Sequence, residues 1–166
     1  MQLKKIIFPC FVFLCMGTIF LFSHQNGNKS ERLSDDFVLK IIKSVTEVSK
    51  TEVSEIRKVE IVQKTRFLIR KGAHFFLYFL LGFLSYLTFK VYHFKHPLFL
   101  AIFFCLIYAS SDEIHQLFVN ARTGRVLDVL IDMCGSFSGI AISLFLCHFW
   151  MQIKNKKLTT ERENYL

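Results

Sequence analysis

Four stretches of this chain are too long and too apolar for the interior of a small soluble domain. They are Ile6–Phe22, Ala73–Tyr92, a run from Pro97 that ends at Ser111 or Phe118, and a run from Arg125 or Val126 to Trp150. A soluble domain of this length alternates apolar with polar positions around one core. Here 52% of 166 residues are apolar, 20 of them Phe, and they come in blocks. That pattern belongs to the membrane class. The expected fold is all-α and polytopic: four transmembrane helices, with an amphipathic helical extracytoplasmic segment between the first and second. The chain divides accordingly into residues 1–22, an N-terminal transmembrane helix; 23–70, the polar helical segment; 71–150, a three-helix membrane core; and 151–166, a cytoplasmic basic tail.

The first block has a basic start and runs for 17 residues, short for a span. A cleaved signal peptide is its rival. No small-residue cleavage pair precedes Ser23-His24-Gln25-Asn26, and the block exceeds a usual signal core, so an uncleaved span is expected. In the polar segment Ser34 reads as a helix N-cap with Asp35 and Asp36 in the first turn. Leu33, Phe37, Ile41, Val45 and Val48 then recur at helical spacing, and Val53, Ile56 and Val59 continue the stripe more weakly. Pro97 suits a first helical turn, and Trp150 an interfacial anchor. The five cysteines all lie in apolar blocks, are odd in number and show no CxxC spacing, which indicates neither a disulfide framework nor a zinc site. The formal charge of +8 comes without a basic, aromatic-interleaved face. It points to anionic lipid headgroups and not to nucleic acid. Lys4, Lys5, Lys90, Lys95 and the tail lysines fall on one side of the membrane, which places both termini in the cytoplasm; Arg66, Arg70 and Lys71 vote the other way.

Alternation of the spans brings the start of the second, the end of the third and the start of the fourth to one membrane face. Those three ends carry the ionisable residues. Lys71, His74, Tyr78, Gly82 and Ser85 share a face of the second span; Tyr108, Asp112 and His115 or Gln116 a face of the third; Asp128, Asp132, Gly135 and Gly139 a face of the fourth. Ionisable groups at a membrane boundary are costly and usually paired, bundle-facing and functional. The predicted cluster is Lys71, His74, Tyr78, Asp112, Glu113, His115, Gln116, Arg122, Arg125, Asp128 and Asp132. Gly135 and Gly139 form a small-xxx-small step that lets helices approach. Arg122 and Arg125 suit a phosphate-like anion and equally suit neutralising the aspartates.

The run Tyr108-Ala109, Asp112-Glu113, His115-Gln116, Phe118-Val119, Arg122, Asp128 and Gly135/Gly139 resembles the VanZ-like membrane proteins. The DE-x-x-Q, R and D-x-x-x-(D/N)-x-x-G spacing carries the resemblance. Arg70-Lys71-x-x-His74 with Tyr78, and Ser23 to Gly27 with Ser30 and Ser34, extend it over nearly the whole chain. Asn120-Ala121 stands where that family usually has Pro-Gly. The resemblance implies a multi-pass protein of the bacterial plasma membrane. It also implies a phenotype class, since the family's namesake is associated with low-level teicoplanin resistance, and no reaction.

Three functions compete. In the first, an envelope protein without catalysis binds membrane lipid headgroups, a cell-wall precursor or a lipoglycopeptide, with no cofactor, through Arg122 and Arg125 in a pocket ordered by His74, Asp112, Glu113 and Gln116. In the second, an enzyme acts on a lipid-linked phosphate, with Asp112, Glu113, Asp128 and Asp132 around a divalent metal and His74 or His115 as acid or base. In the third, the cluster only locks the bundle.

Overall fold

The computed structural model describes residues 2–25, 32, 35–44, 54–120, 122 and 124–163. Four helices dominate: α1 (Gln2–His24), α2 (Glu55–Val91), α3 (Pro97–Gln116) and α4 (Val126–Glu163). Each is long and apolar enough to cross a membrane, over Leu3–His24, Val59–Val91, Pro97–Gln116 and Val126–Leu158. Residues 35–44 are also helical. The sequence positions Gly27, Ser30, Leu33, Ser34, Val45, Val48, Val53 and Ala121 lie outside the described residues.

The spans alternate in direction. Tyr92, just past the end of α2, donates its hydroxyl to the Lys5 carbonyl near the start of α1. Ser23, at the other end of α1, reaches the last turn of α3. Between α2 and α3 the chain turns on His93, which adopts a left-handed φ of 59°. His93 N donates to Lys90 O at 3.1 Å and Phe94 N to Phe89 O at 3.2 Å. That is a Schellman motif with histidine at the position glycine usually takes. The Phe89 and Phe94 rings meet edge to face at 5.5 Å, the apolar contact that accompanies such an ending. Pro97 follows at the first turn of α3, where its missing N–H costs nothing.

The broadest helix interface is α2 against α4. A Cβ on Gly135 would strike the Phe75 carbonyl, one on Gly139 the Phe79 carbonyl, and one on Gly82 the Ser136 backbone. Glycines on both helices therefore set how closely they lie. Around this contact, Val12, Cys15 and Ile19 of α1 join Tyr78, Leu81, Cys105, Ala109 and Met133 in one buried cluster. Outward-facing positions are large and apolar: Phe13, Phe99, Phe145 and Trp150 among them. Such a surface is stable against acyl chains and would associate in water.

In one respect the helices extend beyond the apolar blocks. α2 starts at Glu55, inside the polar segment, and passes residue 72 without a break. No proline interrupts Glu55–Val91, and Arg57, Glu60, Gln63 and Lys64 are good helix formers. Its 37 residues span about 56 Å, against a hydrocarbon core of about 30 Å, so the polar first turns project beyond the bilayer. The helix at 35–44 is tied there. Arg66 donates Nε and Nη2 to the two carboxylate oxygens of Asp35, both at 2.6 Å, and Val38 and Val62 are buried. α4 likewise continues past Trp150, so the basic tail is helical to Glu163.

Candidate functional site

The polar residues gather where α1 and α3 end and α4 begins, beside the middle of α2. α3 runs through Asp112 and Glu113 and ends at Gln116. All three are buried. Spacings of three and four put the Gln116 amide over both acids. Its Nε2 donates to Asp112 Oδ2 and to Glu113 Oε1, each at 3.1 Å. Ser23 Oγ, from α1, adds a 2.8 Å bond to Asp112 Oδ2. The Arg125 backbone N–H donates to Glu113 Oε2 at 2.9 Å. Two carboxylates at the C-terminal end of a helix oppose its dipole, and these four donors offset that repulsion.

Arg122 closes this network from above. Its Nη1 donates to Gln116 Oε1 at 3.3 Å, which fixes the amide with nitrogen toward the acids. Its Nη2 donates to Phe22 O at 2.7 Å and its Nε to Gln25 O at 3.1 Å. These carbonyls belong to the last turn of α1 and the residue after it, and the first is an acceptor left over by helix geometry. Arg122 thus caps α1 onto α3. Burial holds its pKa below the ordinary arginine value, and the nearby Arg70 charge acts the same way, while Asp112 and Glu113 push it back up. The loop before α4 is close-fitting: a Cβ on Gly124 would lie 2.6 Å from the Glu113 carbonyl.

On the α2–α4 side, Lys71 forms an ion pair with Asp128. One helical turn deeper, His74 Nδ1 stands 3.8 Å from Asp132 Oδ1. That is too long for a hydrogen bond. Ligand atoms of His74, Asp112 and Asp132, one residue from each of three helices, all lie within 4.8 Å of one another. Asp132 Oδ2 and Tyr78 Oη are buried with no hydrogen-bond partner among the described residues.

Of the sequence-predicted set, the structure therefore brings together Asp112, Glu113, Gln116, Arg122 and the Arg125 backbone in one group. A second group holds Lys71 with Asp128, and His74 and Tyr78 with Asp132. The Arg125 side chain is exposed. His115 turns to α1, with its ring 4.7 Å from that of Phe20 and its Nε2 3.3 Å from His24 Nδ1. Sequence reasoning did not place Ser23 in the cluster. Its only signal was membership of the Ser23-His24-Gln25 stretch in the resemblance, since a serine after an apolar run otherwise reads as the start of a loop. Ser85 and Ser136 are buried polar residues of the α2–α4 seam, and their hydroxyls lie beside the Cys105 thiol of α3.

No curated protein and no solved structure matches this chain. The VanZ/LLP1 family does, over residues 8–148. That match takes in α1 from Phe8 onward, the polar segment, all of α2 and α3, and α4 nearly to Trp150, and with it every residue of both groups. The chain is a multi-pass membrane protein of the VanZ/LLP1 family.

Proposed function

We propose that this chain is a bacterial envelope protein that binds the anionic headgroup of an amphiphile at the membrane face where α1 and α3 end. The reading is supported above all by Arg122, which the loop between α3 and α4 ties to the end of α1 at that face. The exposed Arg125 side chain lies on the same loop. Guanidinium groups at a membrane face suit an anionic headgroup. In this reading Arg122 contributes field and rigidity, because its hydrogen bonds already hold α1 to Gln116. Arg125 is the residue that reaches the ligand. Lysines at the opposite ends of the helices orient the protein with both termini in the cytoplasm, and the rim then faces the outer leaflet. A lipid headgroup, a cell-wall precursor and the acidic part of a lipoglycopeptide share the required chemistry. Tolerance of teicoplanin-type glycopeptides is the phenotype that the resemblance adds.

The experiment is binding of fluorescent amphiphiles to purified protein in phosphatidylcholine nanodiscs. Phosphatidylglycerol, a polyprenyl-phosphate-linked precursor and teicoplanin are compared, with a zwitterionic lipid as control. Arg125→Ala, which keeps the backbone donor to Glu113, weakens binding of the cognate anion about tenfold or more, the loss expected for a charge-assisted contact. Equal binding of anionic and zwitterionic amphiphiles overturns the reading. A four-carboxylate enzyme site is less well supported, because Glu113 is committed to Gln116 and the Arg125 N–H and Asp128 to Lys71.

A further inference from the structure

We infer that His74, Asp112 and Asp132 form a divalent-cation site of the zinc or manganese class in the middle of the bundle. The spacing supports it. Two ligand atoms on one zinc, each about 2.1 Å from the ion, lie roughly 3.4 Å apart in a tetrahedral arrangement and at most about 4.2 Å apart. The 3.8 Å between His74 Nδ1 and Asp132 Oδ1 fits that window and fits no direct bond. The whole set lies within 4.8 Å, so its widest pair has to draw in by up to about 0.6 Å around an ion.

Partnering supports it independently. Asp132 is only 1% exposed, yet among the described residues Oδ2 accepts no hydrogen bond. Tyr78, fully buried one helical turn from His74, has an unpartnered hydroxyl within electrostatic reach of Asp112 and Asp132. Buried polar atoms left unmatched cost free energy that a bound cation and its water recover. Charge agrees as well. Lys71 pairs with Asp128, while the hydrogen bonds to Asp112 come from the uncharged Ser23 and Gln116. A dication balances two carboxylates. The imidazole nitrogen favours zinc or manganese over magnesium or calcium, which prefer all-oxygen shells.

The surrounding contacts read as support for the ligands. Ser23 and Gln116 both donate to Asp112 Oδ2, which leaves Oδ1 for the ion. Three protein ligands leave coordination positions open, and an anionic headgroup oxygen fills one of them. That last step alone rests on the headgroup reading.

The test uses the full chain in phosphatidylcholine nanodiscs, stripped with EDTA and equilibrated with ZnCl2, MnCl2, MgCl2 or CaCl2. Metal content after gel filtration is read by mass spectrometry, and thermal unfolding is followed with and without EDTA. The expected result is a single zinc or manganese retained per chain, no magnesium or calcium, and a melting temperature that rises with the metal. Asp132→Asn and His74→Gln lower the affinity at least about tenfold, while Asp128→Asn retains the ion. Cobalt-loaded protein shows visible absorption bands that His74→Gln removes. Wild type that retains no more metal than Asp132→Asn overturns the proposal, as does a wild-type melting temperature indifferent to EDTA. These readings on wild type stand even where a variant fails to fold. Repeating the titration in phosphatidylglycerol discs separates the two ideas. Metal bound equally in both lipids keeps the site and removes the headgroup from it.

Discussion

Alanine placed at four helical glycines is expected to split by sign. Gly139 of α4 faces α2 so closely that a Cβ would collide with the Phe79 carbonyl oxygen and lie 2.9 Å from both Phe79 C and Phe83 N. All three obstacles are backbone, so no side chain can rotate away. Restoring ordinary contact of about 3.4 Å with that oxygen requires α2 and α4 to part by more than about one ångström, and a gap of that size forfeits roughly half of each pairwise dispersion well along the seam. Overpacking of this kind costs about 1–3 kcal/mol, and a backbone-to-backbone clash belongs at the upper end. Against it stands the helix-propensity gain of Gly→Ala, about 1 kcal/mol. The net expectation for Gly139→Ala is a loss of about 2 kcal/mol, and Gly135→Ala, facing the Phe75 carbonyl, follows it. Gly17 and Gly72 have nothing within 4 Å of a built Cβ. There the propensity gain acts alone, and Gly17→Ala and Gly72→Ala stabilise by a few tenths to about 1 kcal/mol. The assay is reversible unfolding in mixed micelles, with all four variants measured against wild type. A Gly139→Ala protein as stable as Gly17→Ala would refute the claim that these glycines set the α2–α4 distance.

Other expectations follow from single contacts. Gln116→Leu leaves Asp112 and Glu113 one donor short each and frees the Arg122 fork, so it destabilises by about 2–4 kcal/mol in the same assay; a loss under about 0.5 kcal/mol speaks against the network. His93→Gly removes a left-handed strain of about 1 kcal/mol and raises the unfolding midpoint. Arg122→Lys does not rescue Arg122→Ala, because an ammonium cannot serve Phe22 O, Gln25 O and Gln116 Oε1 together; hydrogen exchange at the end of α1 reports it, and equal protection in lysine variant and wild type counts against the cap. A fluorescent protein fused after Leu166 lights up in the cytoplasm, and an alkaline-phosphatase fusion there stays inactive; the opposite pair of results reverses the orientation.

The four spans were legible because apolar length is a one-dimensional signal, and it survives without knowledge of any neighbour. The alternation of short connections then fixed which helix ends share a membrane face, and that put His74, Asp112 and Asp132 within reach of one another before any coordinate. Periodicity says which residues share a face of a helix; it does not say toward which neighbour that face is rotated. His115 shows the difference. It sits one residue from Gln116, yet it stacks on Phe20 of α1 while Gln116 turns inward. The role of Arg122 was hidden for a related reason. An arginine in a polar loop looks the same whether it awaits an anion or caps a helix, and only the position of the Phe22 and Gln25 carbonyls decides. The start of α2 at Glu55 was missed because hydropathy falls where the helix leaves the bilayer, although the helix itself does not stop.

The two groups of polar residues differ in kind, and the difference bears on whether the cluster is only a lock. Around Gln116 every donor has an acceptor: the amide serves two acids, Ser23 a third bond, Arg122 three carbonyl oxygens. A fully satisfied network of this type rigidifies a bundle and needs no ligand. Around Asp132 the pattern is reversed, with a buried carboxylate oxygen and a buried phenol both unpartnered and an imidazole held just beyond hydrogen-bond range. A pure lock would have placed an asparagine or leucine at position 132, which removes the charge and fills similar space. A buried carboxylate is favoured where something positive meets it. On the proposed cation reading, the closed half is the frame that holds Asp112 in place and the open half is where the ion sits.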